Sequence, residues 1–219
     1  MNYSRIYLRK SLWHVLFCCQ FLFIIKVNAQ SNDTTVNYYE NGQLKSKGIL
    51  LDGNEEGQWE FFYPNGTKNS LEHYKEGILH GNCHYYDFNG KLTAVEHWEN
   101  GLLQDTATYY YPSGQIHKKG VYQDAVYEGI WLFFYEDGKP KQKAVYHLGQ
   151  PHGDWLIYHE NGKLAQKGAY NMGKEHGFWQ FFDENGQLQY EGHYEEGQAV
   201  GQWFKYNKRG KKKPYRYER

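Results

Sequence analysis

The chain has 219 residues, enough for one domain or one repeat array, and 19% of them are aromatic, with 22 Tyr, 12 Phe and 7 Trp. That content excludes a disordered chain and, with 24 Gly, favours half-buried strands joined by tight turns. Formal net charge is zero, but residues 30–204 hold 13 basic and 24 acidic side chains while 205–219 hold eight basic ones against Glu218 alone, so an acidic body excludes nucleic-acid binding by phosphate neutralisation.

Residues 1–29 read as a signal peptide. Arg5, Arg9 and Lys10 make a positive start, Leu12 to Val27 is mostly apolar, and Val27-Asn28-Ala29 is a small-residue cleavage site. The mature chain then begins at Gln30 and is expected to be exported: periplasmic, cell-surface or secreted. An uncleaved anchor is the alternative, although the apolar run is short for a transmembrane helix. Cys18 and Cys19 leave with the signal, so Cys83 is the sole mature cysteine and no intramolecular disulfide can form.

From residue 33 the chain repeats itself. Gly42, Gly66, Gly90, Gly114, Gly138, Gly162, Gly186 and Gly210 follow at intervals of 24 residues without insertion. With positions 1 to 24 counted from Gly57, GQWEFFYPNGTKNSLEHYKEGILH is one unit, and GDWLIYHENGKLAQKGAYNMGKEH from Gly153 is another. Each unit carries two turn signals. Asn-Gly or a relative stands at positions 9–10, as in Asn65-Gly66, and a second signal stands at 20–21, as in Asp52-Gly53; only Asp124-Ala125 lacks its glycine. Turns about twelve residues apart, joined by aromatic runs, give a meander. The expected fold is all-β: an elongated antiparallel meander of about eight tandem 24-residue β-hairpin repeats over residues 30–210, followed by a basic C-terminal tail, 211–219.

Asn-Gly suits the two positive φ angles of a type I′ turn. A two-residue turn there pairs position 3 with 16, 5 with 14 and 7 with 12, and the second turn pairs 18 with 23 and 16 with position 1 of the next unit. One face then carries positions 3, 5, 12 and 18: Trp59, Trp131, Trp155, Trp179 and Trp203 at position 3, and Leu44, Leu92, Ile116, Leu164 and Leu188 at position 12. Opposite the tryptophan, position 16 is small in Gly48, Gly120, Ala144, Gly168 and Gly192, which lays an indole over bare backbone. This reads as the structural face.

The pattern G-x-W-x-aromatic-aromatic-x-x-N-G-x-L, then G-x-Y and x-x-G, resembles the MORN-repeat variant family (membrane occupation and recognition nexus), including its bacterial antitoxin-like members. The resemblance covers about residues 33–210. It implies a sheet of stacked hairpins and a role in protein or lipid contact.

The second face is mostly polar with one exception. Position 6 is aromatic in every unit, giving Tyr38, Phe62, Tyr86, Tyr110, Phe134, Tyr158, Phe182 and Tyr206, one ring roughly every 10 Å along the array. This stripe suits contact with a protein or stacking on a sugar, or else it stiffens the sheet. Lys47, Lys119, Lys143 and Lys167 at position 15 are placed to lay their stems on the rings. Lys211, Lys212, Lys213 and Arg216 can meet anionic lipid or an acidic partner, or form a solvated end that protects the last strand. His73 falls opposite His80, and His97 opposite Asn82 and diagonal to His80 and His84, spacings at which imidazoles can share Zn²⁺ or Cu²⁺; the alternative is a solvated polar face. No nucleophile elbow, phosphate loop or zinc-protease motif occurs. The expected protein is a non-catalytic scaffold without a cofactor that binds another protein, or an envelope component that contacts lipid or glycan through the stripe and the tail.

Overall fold

A computed structural model of the protein describes residues 33–216, so the expected signal peptide and its cleavage site lie outside the described residues. The described residues contain no helix. They form β1 (Thr34–Tyr38), β2 (Leu44–Leu51), β3 (Asn54–Phe62), β4 (Lys68–Lys75), β5 (Ile78–Leu79), β6 (Gly81–Tyr86), β7 (Leu92–Glu99), β8 (Leu102–Leu103) and β9 (Asp105–Tyr110). The second half continues with β10 (Ile116–Gln123), β11 (Val126–Phe134), β12 (Pro140–His147), β13 (Gln150–Tyr158), β14 (Leu164–Asn171), β15 (Lys174–Phe182), β16 (Leu188–Glu195), β17 (Gln198–Tyr206) and β18 (Lys212–Tyr215). All belong to one antiparallel sheet, the all-β meander that the 24-residue period demands. The sheet runs past residue 210: Lys212–Tyr215 pairs with β17, so part of the basic tail is itself the last strand.

The two turns of each unit differ from the expected assignment. At the Asn-Gly turn the amide of Gly66 donates to the Tyr63 carbonyl at 2.8 Å and the Tyr63 amide to the Thr67 carbonyl at 2.8 Å, enclosing the three-residue loop Pro64-Asn65-Gly66. Only the glycine has positive φ, +84°. This is a type I turn closed by a left-handed glycine, not type I′. Asn65 serves through its side chain: its Oδ1 accepts from the Thr67 amide at 3.0 Å. The type I′ geometry belongs to the second turn, where Asp52 and Gly53 have φ of +51° and +87°.

The longer loop changes the register near it. Phe61 still pairs with Ser70, but Phe62 pairs with Lys68, and the residue between becomes a bulge. Pairing therefore joins position 6 to position 12, as in Tyr86–Leu92, Tyr110–Ile116, Tyr158–Leu164 and Phe182–Leu188. Paired residues share a face, so the position 12 aliphatics leave the tryptophan face expected for them and join the stripe.

A second bulge follows each type I′ turn. It pairs Lys47 with Glu60 rather than Gly48 with Gly57, which brings Gly48 beside Trp59. A Cβ on Gly48 would lie 2.2 Å from the Trp59 indole, and Gly120, Gly168 and Gly192 stand likewise under Trp131, Trp179 and Trp203. Each indole thus covers the glycine of the unit before its own. Trp59 and Trp131 also donate Nε1–H to the carbonyls of Ile49 and Val121, at 3.1 and 2.9 Å. Around these indoles the rings of positions 3, 5, 18 and 23 interlock: Tyr127 stacks on Trp131 at 3.8 Å, and Tyr146, Trp155, Tyr170, Trp179, Tyr194 and Trp203 form a chain of edge contacts. This ring stack is the core of a one-layer sheet.

Two units replace the indole with Cys83 and Ala107, and position 16 changes with it. Where the other units have Gly or Ala at position 16, these have Glu72, whose charge acts on Cys83, and Glu96, which pairs with Cys83. Large-over-small has become small-beside-large. Both carboxylates are held by ring donors: Tyr74 Oη–H donates to Glu72, and Tyr109 Oη–H and Trp98 Nε1–H donate to Glu96 at 2.8 and 3.2 Å. Burial first, then hydrogen bonding to Tyr122 and Glu96, keeps Tyr109 protonated far above its usual range, and burial pushes Tyr122 up to about 12.

Candidate binding surface

The stripe is built at the strand ends that enter the Asn-Gly turns. Phe62, Tyr86, Tyr110, Phe134, Tyr158, Phe182 and Tyr206 are each half-buried, and Tyr38 at the open edge is 63% exposed. The backbone beneath them is stitched from unit to unit. The Tyr39, Tyr63, Tyr111 and Tyr135 hydroxyls, at position 7, donate to the carbonyls of Phe62, Tyr86, Phe134 and Tyr158 at 2.8, 2.9, 2.9 and 2.6 Å. Each bond lands on the position 6 residue of the following unit. Asn65 and Asn161 reach the next turn in the same way, at 3.1 and 2.6 Å. The sequence carries a signal for this device, a Tyr one residue after the stripe position in four units, but the period alone does not reveal what that hydroxyl bonds.

The two faces use their rings differently. On the tryptophan face the rings contact one another along the array. Among the described residues no ring-to-ring contact involves a member of the stripe; Tyr86, Tyr110, Tyr158 and Phe182 each lie instead beside the aliphatic residue paired with them. The stripe is therefore a rigidly spaced row built largely of aromatic–aliphatic pairs.

Position 15 lies next to position 4 across the strands and shares the stripe face. Lys119 pairs with Leu132, Lys143 with Leu132 and Leu156, and Lys167 with Leu156 and Gln180. The ammonium groups near rings are those of Lys45, Lys118, Lys141, Lys205 and Lys212, not those of position 15. The bulges reassign the neighbours, and the position 12 side chain takes the space beside each ring. Of the position 15 lysines only Lys47 forms an ion pair among the described residues, with Glu60 at 3.4 Å.

The basic tail is partly used by the fold. Lys212 Nζ lies 2.8 Å from Glu191 Oε1 and 3.6 Å from the Phe204 ring centroid, while Tyr206 Oη–H donates to the same oxygen at 2.6 Å. Burial raises the Glu191 carboxyl, but the ammonium, the phenol and the Gln180 amide outweigh it and hold the group below its ordinary value. The Lys211 amide donates to Asn207 Oδ1 at 3.0 Å, Lys213 pairs with Lys205 on β17, and Arg216 is exposed just beyond the strand.

The histidines sit in the expected register but do not converge. The His80 amide donates to the His73 carbonyl at 2.8 Å, and Asn82 pairs with His97. Asn82 separates the rings: His73 Nδ1 bonds its carbonyl at 2.7 Å and His97 Nδ1 its side-chain oxygen at 2.8 Å. His80 and His84 each leave Nδ1 buried and without a hydrogen-bond partner. Among the described residues no three His, Cys, Asp or Glu side chains group as a metal site.

A sheet of stitched hairpins whose one face is core and whose other face is a periodic stripe defines a repeat scaffold. The chain belongs to the MORN repeat variant family, whose model matches residues 34–50, 55–76, 106–124, 127–147, 151–172 and 175–196, more than half the chain. Repeats of this family are in general non-enzymatic scaffolds for contact with proteins or membranes. The match passes over 77–105, which contains Cys83 and Glu96. No curated protein matches the chain. Solved structures similar to part of it include the crystal structures of TcdB2-TccC3 and of TcdB2-TccC3-Cdc42, each 12% identical with a TM-score of 0.19. Either match covers 79% of this chain, which spans 13% of the length of the matched chain.

Proposed function

We propose that the protein is an exported, non-catalytic repeat scaffold that binds another protein along its stripe face. The observation that carries this is the division of labour between the two faces. The tryptophan face spends its rings on one another, whereas the stripe rings make no such contacts and remain half-exposed at a fixed spacing. Aromatic side chains on a rigid frame are effective contact residues because little side-chain entropy is lost on binding. The alternative, an envelope component that meets lipid or glycan through stripe and tail, has fewer free cations to draw on, since Lys212 is engaged by Glu191.

The test is capture from native envelope extract with the full chain and with its Tyr86→Ser, Tyr110→Ser, Tyr158→Ser variant, read by mass spectrometry. One protein retained by the wild type at low and moderate salt and lost by the variant is the expected result. Equal retention by a folded variant assigns the stripe to stiffening alone. Export is checked separately, by N-terminal sequencing of the mature protein, where Gln30 is the expected first residue.

A further inference from the structure

The position 15 row is not uniform. It reads Lys47, Leu71, Val95, Lys119, Lys143, Lys167, Glu191. Lys47 is neutralised by Glu60 and Glu191 is engaged by Lys212. Between them, three consecutive units present Lys119, Lys143 and Lys167, which take part in none of the ion pairs among the described residues. Nor does any of their ammonium groups lie over a ring. Their cross-strand neighbours include Leu132 and Leu156, so no carboxylate stands opposite them there. Lys119 and Lys167 are exposed and Lys143 half-buried, and Tyr110, Phe134, Tyr158 and Phe182 share their face.

The spacing of this ladder selects a partner. Lys119, Lys143 and Lys167 lie on β10, β12 and β14, two strands apart each time. Strands about 4.8 Å apart put the lysines about 9.6 Å from one another. A peptide in the polyproline II conformation rises about 3.1 Å per residue with three residues per turn, so every third side chain returns to the same side after about 9.3 Å. A β-strand ligand matches less well: its third residue advances by about 10 Å but points to the opposite side.

We infer that the stripe face between β9 and β14 is a docking site for a polyproline II peptide carrying an acidic residue at every third position. The carboxylates meet Lys119, Lys143 and Lys167, and the apolar residues between them rest on the rings of Tyr110, Phe134 and Tyr158. Aromatic rows are the usual seat for such a peptide, whose preformed backbone loses little entropy on binding. This rests on the scaffold reading and narrows its partner.

The probe is fluorescein-labelled acetyl-(Glu-Pro-Pro)4-amide, titrated with the full chain by fluorescence anisotropy at low and moderate salt. A peptide of the same composition with its four glutamates contiguous is the spacing control, and acetyl-(Lys-Pro-Pro)4-amide is the charge control. Saturable binding of the first peptide is expected, weakened by salt and well above both controls. The Lys119→Gln, Lys143→Gln, Lys167→Gln variant, with an unchanged circular dichroism spectrum, should bind roughly tenfold more weakly, three surface charge pairs having been lost. Equal binding by this variant, or by the contiguous-glutamate peptide, overturns the inference. If the lysine variant still captures the envelope partner and the stripe variant does not, the acidic-peptide inference fails while the scaffold reading stands.

Discussion

Gly168→Ala tests the indole-over-glycine packing most directly. The added Cβ would lie 2.1 Å from Cδ2 and 2.2 Å from Cε2 of Trp179, against an ordinary contact near 3.5–4.0 Å, so the indole must retreat by more than 1 Å. Overpacking of this kind costs about 1–3 kcal/mol. Against it, alanine in a strand is favoured over glycine by about 0.5–1 kcal/mol through backbone entropy. The net loss should be about 0–2.5 kcal/mol. The protein carries its own gauge of the movement. Ala144 is the natural exception beneath an indole, and its Trp155 is half-buried, whereas Trp59, Trp131, Trp179 and Trp203 are 0–3% exposed. Urea unfolding followed by tryptophan fluorescence gives the loss, and iodide quenching reports the lifted ring. The decisive comparison is the Trp179→Ala background. With the indole gone, Gly168→Ala should become neutral or stabilising, a change of sign. A cost that stays the same in both backgrounds would refute the packing argument.

Three further outcomes follow from other parts of the array. Ala125 holds φ of +64° at a turn position where the other units have glycine, so Ala125→Gly should raise stability by about 1 kcal/mol, measured by urea denaturation. Cys83→Trp alone drives an indole into the space held by Glu72 and should lower the melting temperature; adding Glu72→Gly restores the pair found elsewhere in the array and should recover most of the loss. The Glu191 carboxyl is held below its ordinary value of 4.5, so its contribution is present above that pH and fades as pH falls through the lowered value. Melting temperature recorded from pH 7 to pH 3 should therefore drop further in the wild type than in Lys212→Met, and parallel curves would detach the ion pair from the stability of the final hairpin.

Most of the fold was legible because a 24-residue period with glycines in fixed places leaves few ways to arrange strands. The pairing of position 3 with 16 and of 5 with 14 could be read from the turn spacing alone, as Trp131–Ala144 and Phe61–Ser70 show. What misled was treating Asn-Gly as a two-residue turn. One extra loop residue and one compensating bulge leave the distant register intact but move Leu92, Ile116, Leu164 and Leu188 to the opposite face. Periodicity cannot reveal this, because the two errors cancel within three residues of the turn. The substitutions at Cys83 and Ala107 were opaque for a related reason: the carboxylates near Cys83, Glu72 and Glu96, lie on the neighbouring strands and not beside it in sequence.

The same two bulges determine what the stripe face can do. Had the hairpins been regular, the position 12 aliphatics would lie under the tryptophans and the stripe rings would stand among polar neighbours. The bulge beside most of the Asn-Gly turns instead seats an aliphatic residue next to a ring, as at Tyr110, Tyr158 and Phe182, so these rings have an apolar neighbour that is not another ring. The bulge after each type I′ turn sets Lys119 against Leu132 and Lys143 against Leu156, so the lysine stems run beside aliphatic side chains. A row of oriented rings beside a row of unpaired ammonium groups is thus a consequence of turn geometry, repeated at the period of the array. Changing a turn should therefore alter recognition as well as stability. Gly138→Ala puts a Cβ on a residue at φ of +83°, and the strained turn should disturb the Phe134–Pro140 pair beside it. Loss of peptide binding in that variant, with Lys119, Lys143 and Lys167 all retained, would locate recognition in the geometry of the row and not in its charge alone.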